Sequence, residues 1–154
     1  MKITSVKTAA TRGHGMHLWV RVETDEGITG TGECVHGGAQ AIAIIHYLGP
    51  KLIGRDPFQI DAIFEELRRS HVFDGGTGGA LITALTGIDI ALWDLKGKAL
   101  GRPVYDLLGG KVREEVPLYA NGWFRGCTTP EQYAAAARRV VADGHVSIKL
   151  DPYL

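Results

Sequence analysis

The sequence predicts an α+β domain followed by a separate strand–helix–strand unit. Three observations carry that reading. Strand-like runs, with apolar and polar residues alternating over 18–23, fill the first 36 positions, and apolar residues then recur at spacings of three and four until about residue 100. Gly109-Gly110-Lys111 then breaks the pattern. Beyond it a new strand, a capped helix and a second strand follow.

Residues 2 to 36 read as strands. Ile3 and Val6 lie in a first run, and Leu18, Val20 and Val22 alternate with Trp19, Arg21 and Glu23 in a second. A period of two places one set against a core and the other outside. Asp25-Glu26-Gly27 supplies a hairpin turn, and Ile28 to Val35 forms the returning strand. Gly30 and Gly32 predict a bulge or a close backbone approach. The three strands make an antiparallel meander with a loop at Arg12 to Met16.

Helices follow. Ala39 to Leu48 stops at Gly49-Pro50, and Asp56-Pro57 reads as cap and first turn of a second helix. Ile60, Ile63, Phe64 and Leu67 share one face of it. The glycine-rich stretch Asp74 to Gly79 leads into a third helix, with Leu81, Leu85, Ile88, Leu92 and Leu95 on one apolar stripe. Ala84, Ala91 and Ala99 are small enough to admit a close neighbour. Gly101 and Pro103 end this helix, because glycine takes the left-handed cap and proline cannot continue the ladder.

After the break, Val116 to Phe124 reads as a strand. Thr129-Pro130-Glu131-Gln132 is a capping box with proline at the first helical position. Its helix runs to about Asp143 and stops at Gly144, and Val146 to Leu150 is a second strand. Such a unit pairs its strands in parallel with a right-handed crossover.

Composition narrows function. Lys plus Arg and Asp plus Glu number 17 each, so no cationic excess exists for nucleic acid or for an anionic membrane surface. Cys34 and Cys127 have no partners at metal spacing, and a reducing cytoplasm fits. No run reaches transmembrane length.

The stretch from Ala84 to Gly109 (ALTGIDIALWDLKGKALGRPVYDLLG) closely resembles a signature of the mandelate racemase/muconate-lactonizing branch of the enolase superfamily. Thr86 stands where the family usually has a smaller residue. The resemblance implies a capping domain over residues 1–110, then the first strand–helix–strand of a (β/α) barrel over 111–154. A complete barrel needs roughly 250 residues, so the chain is expected to be an inactive piece of a longer enzyme. For an intact relative it implies a bound Mg²⁺ that stabilises the enediolate formed when a base removes the proton α to a carboxylate. The metal's carboxylate ligands would come from the third to fifth barrel strands, so no metal is expected on this chain. The implied partner is a sugar-acid substrate, and symmetric homo-oligomers are common among relatives. A racemase or cycloisomerase of the same superfamily, a stand-alone binding module and a structural relic remain open.

Five residues are candidates for chemistry. Lys149 and Asp151 lie two apart at the end of the last strand, on one side of it. Many relatives carry Lys-x-Lys here, whereas Lys149-Leu150-Asp151-Pro152 is more like the sugar-acid dehydratases. The bare residues alone read rather as an exposed strand-end pair; the resemblance is what gives the catalytic reading its weight. His14, His17 and His36 flank the loops after the first and third strands. Alone they read as solvated loop histidines; the resemblance implies that these loops contact the distal part of the substrate. Asp89 and Asp94, five apart on the signature helix, project differently and predict surface or capping bonds. Trp93 and Trp123 predict packing.

Overall fold

The computed structural model describes residues 1–12, 16–34, 38–74 and 78–151. The chain divides into two compact units, Met1–Gly110 and Lys111–Leu154.

The first unit opens with the predicted meander. Strands β1 (Ile3–Arg12), β2 (Met16–Thr24) and β3 (Thr29–Cys34) form one antiparallel sheet in that order. Leu18, Val20 and Val22 are buried while Trp19 and Arg21 face out, as the alternation requires. The β2–β3 register is regular from Leu18 opposite Cys34 to Glu23 opposite Thr29. Gly30 and Gly32 therefore make no bulge. They let a helix lie directly on the strand: a Cβ on Gly30 would overlap the Ala91 carbonyl, and one on Gly32 the Gly87 carbonyl.

That helix is α3 (Gly79–Leu100), and it buries Leu81, Ala84, Leu85, Ile88, Ala91, Leu92 and Leu95. Gly87 is the tightest point from the helix side, where a Cβ would run into Cys34 and Val20; Ala99 is only partly buried. Gly101 ends α3 in the left-handed region at φ 62°. Its N–H reaches the Lys98 carbonyl and that of Arg102 reaches Gly97, which satisfies two of the carbonyls a helix end leaves open.

Helices α1 (Gly38–Leu48) and α2 (Ile60–Ser70) complete the core through Ala41, Ile45 and Leu48, and through Ile60, Ile63 and Leu67. The expected cap at Asp56-Pro57 is corrected. Asp56 Oδ1 accepts the Phe58 N–H at 2.9 Å and its carbonyl accepts that of Gln59, a turn that closes before α2 starts. Gln59 occupies the cap position with no side-chain bond. The short helix α4 (Val104–Leu107) follows Pro103.

In the second unit the capping box forms as predicted. Thr129 Oγ1 accepts the Gln132 N–H, Gln132 Oε1 accepts the Thr129 N–H, and helix α5 spans Pro130–Ala142. The two flanking strands are shorter than expected. The backbones of residues 116–124 and 146–150 pair only in a parallel bridge between Ala120 and Ile148. The sense of pairing is the predicted one; its length is not. Val116, Leu118 and Val146 stay mostly exposed, and parallel strands persist when both faces are covered.

Candidate functional site

The sheet brings the strand ends beside two of the singled-out stretches together. β1 and β2 are joined across residues 13–15, and Cys34, the last residue of β3, sits opposite Leu18 near the start of β2. β3 therefore ends beside the start of β2. His14 and His36 lie outside the described residues. His17 is described and does not stand alone. Its Nδ1 lies 2.8 Å from Oε1 of Glu33 on the neighbouring strand, and its ring stacks on Trp19 at 6.5 Å with planes 20° apart. Trp19 in turn donates its indole N–H to Thr11 Oγ1. His17 is thus an imidazole with one nitrogen committed to a carboxylate, held on the outer face of a sheet. Glu33 was not singled out from the sequence. The alternation held the signal, since it puts residues 17 and 33 on the same face of adjoining strands.

The second cluster lies in residues 111–151. Lys149 Nζ sits 3.5 Å from Asp151 Oδ2, and both side chains are about half exposed. Lys149 is more firmly held through its backbone than through this pair. Its N–H donates to the Ala120 carbonyl at 2.9 Å, and its carbonyl accepts the Trp123 indole N–H at 2.7 Å. The Trp123 ring meets Phe124 and Tyr133 edge to face. It packs, as expected, but it also hydrogen-bonds.

Asp94 and Asp89 differ sharply. Asp94 Oδ2 accepts the Thr31 backbone N–H at 2.7 Å and pairs with Lys98. Lys98 Nζ reaches on to the Thr29 carbonyl, so the outer edge of β3 is closed by side chains of α3. Asp89 lines the seam between α2 and α3 beside Ile60, Phe64, Leu85 and Leu92. Burial, and secondarily the charge of Asp61, pushes its carboxyl above the usual range.

Residues 2–109 match the family described as Mandelate racemase / muconate lactonizing enzyme, N-terminal domain. The chain belongs to that family. D-gluconate dehydratase of Thermoproteus tenax is 42% identical over 138 residues, covering 88% of this chain and 28% of the relative. D-galactonate dehydratase of Variovorax paradoxus is 41% identical over 153 residues, covering 98% of this chain and 38% of the relative. A solved member of the enolase superfamily from Salmonella Typhimurium superposes with a TM-score of 0.88 at 41% identity, over 97% of this chain and 42% of the other. The chain thus spans about a third of the length of the curated relatives it matches.

The capping domain of the mandelate racemase/muconate-lactonizing family is therefore present as a folded unit. Among the described residues no group of three or more His, Cys, Asp or Glu side chains could hold a metal ion. The Mg²⁺ implied by the resemblance has no fitting donor set among them. Among the described residues no helix is long and apolar enough to cross a membrane.

Proposed function

We propose that this chain forms the capping domain and the opening of the barrel in a sugar-acid dehydratase. The supporting observation is that identity to a named D-galactonate dehydratase extends over 98% of the chain, through both units rather than the capping domain alone. The reaction begins with removal of the proton α to the substrate carboxylate. The electron pair left behind expels the β-hydroxyl, which departs as water. The resulting enol takes a proton at the β-carbon and becomes a 2-keto-3-deoxy acid.

In this reading Lys149 and Asp151 face that chemistry from the end of a barrel strand, where inward polar groups line an active-site mouth. The ammonium of Lys149 would stabilise charge developing on the substrate carboxylate. His17, oriented by Glu33, and the loop residues His14 and His36 would contact the distal hydroxyls and choose among sugar acids. Mg²⁺ binding, the identity of the sugar acid, and assembly into a homo-oligomer belong to the same proposal for the full-length enzyme.

The test is an in-frame fusion of residues 1–154 to the remaining length of the Variovorax D-galactonate dehydratase. Conversion of aldonic acids to 2-keto acids supports the proposal. Epimerisation without loss of water assigns a racemase instead.

A further inference from the structure

The backbone of Lys149 is fixed on both sides of its Cα. On the amide side the Ala120 carbonyl takes its N–H at 2.9 Å, and on the carbonyl side the Trp123 indole N–H donates at 2.7 Å. The first bond is part of the parallel bridge that defines this sheet remnant. The second comes from a side chain 26 residues earlier in the sequence. A backbone carbonyl at the end of a strand normally turns to water, which leaves the last residues free to reorient. Here the carbonyl accepts the indole N–H instead.

The indole is itself immobilised. Trp123 packs edge to face against Phe124 at 5.6 Å and against Tyr133 of α5 at 6.5 Å. Tyr133 lies in the first turn of the helix set by the Thr129 capping box, and its N–H bonds the Thr129 carbonyl. A chain of contacts therefore runs from a well-capped helix through an aromatic pair to the carbonyl of Lys149. Fixing the peptide planes on both sides of a residue fixes the direction of its Cα–Cβ bond, and so the region its side chain sweeps.

We propose that Trp123 is the positioning residue for Lys149: its indole N–H holds the strand end so that the ammonium of Lys149 is presented in one direction. This rests on the reading above that Lys149 faces the reacting carboxylate. The chemistry is plain, because an electrostatic group loses much of its effect when it must be reordered in each turnover.

The test uses the full chain and the fusion in parallel. In the ¹⁵N,¹³C-labelled full chain, a coupling across the hydrogen bond is expected between Trp123 Nε1 and the Lys149 carbonyl carbon. Trp123→Phe keeps a ring for Tyr133 and removes the donor. It should abolish the Trp123 indole signal, raise amide exchange at Lys149 about tenfold, the worth of one hydrogen bond, and leave Ala136 in α5 unchanged. Replacing Trp123 by 3-benzothienylalanine, which swaps N–H for sulfur in the same ring shape, should do the same if Trp123→Phe disturbs packing. Unaltered exchange at Lys149 in the benzothienyl variant overturns the proposal. In the fusion, Trp123→Phe should lower kcat about tenfold with KM held. A fusion that loses activity on Lys149→Ala yet is indifferent to Trp123→Phe also overturns it. If Lys149→Ala is itself without effect, the catalytic reading of Lys149 fails, and the exchange measurement still decides whether Trp123 positions it.

Discussion

Gly32 of β3 lies against the carbonyl of Gly87 in α3 so closely that a side chain on Gly32 would occupy the same space. Two glycines, one on each element, let helix and strand backbones meet without side chains between them. Gly32→Ala must displace helix backbone rather than a flexible side chain. It is expected to cost about 3 kcal/mol, read as a lower urea midpoint of the chain. Gly27→Ala, in the β2–β3 turn at φ 77° with open space around it, is the contrast: its cost comes from the left-handed backbone alone, about 1 kcal/mol.

Asp94 closes the exposed edge of β3 by accepting the Thr31 N–H and pairing with Lys98. Asp94→Ala should cost about 1–2 kcal/mol, the worth of a charged hydrogen bond in a half-exposed setting. Asp94→Asn keeps an acceptor for Thr31 and should cost less than half as much. Equal losses in the two variants, by thermal or urea unfolding, would contradict this role.

Asp89 gives stability a pH dependence of definite sign. Burial, then Asp61, favours its protonated form in the folded chain. An acid whose folded pKa is raised adds stability below its unfolded pKa and loses it as pH rises through the folded one. Asp89→Asn stays neutral throughout. It should therefore gain on the parent chain as pH rises from about 3 to about 7, and urea melts across that range measure the difference. A variant that loses ground over this range would show that the carboxylate is stabilising.

Alternation at Leu18, Val20 and Val22, the stripe from Leu81 to Leu95 and the capping box at Thr129 are local patterns, and each produced its element. Asp56-Pro57 misled, because an aspartate bonding two residues ahead serves a turn as well as a helix cap. The short pairing of Ala120 with Ile148 was not legible either, since strand length depends on neighbours that cover the strand. At the candidate sites, the residue types at His17 and Lys149 stood out. The bonds that hold them did not: Glu33 was not named and Trp123 read only as packing, because those contacts join residues 16 and 26 positions apart.

His17 offers a kinetic test of the capping domain. In the fusion, His17→Ala should raise KM or change the preferred sugar acid while kcat moves little, because contacts with distal hydroxyls hold ground and transition states alike. Glu33→Gln should reproduce part of that shift, since it weakens the hold on the His17 ring at 2.8 Å. A fall in kcat at constant KM would place His17 among the reacting groups instead.

The most direct measurement is product formation by the fusion of residues 1–154 to the barrel of the D-galactonate dehydratase, run in D₂O with an aldonic acid. The account predicts a 2-keto-3-deoxy acid carrying one deuterium at the β-carbon, where the enol collects a proton from solvent. A fusion that folds with the thermal stability of the parent dehydratase, yet yields no dehydrated product from any aldonic acid, would contradict it.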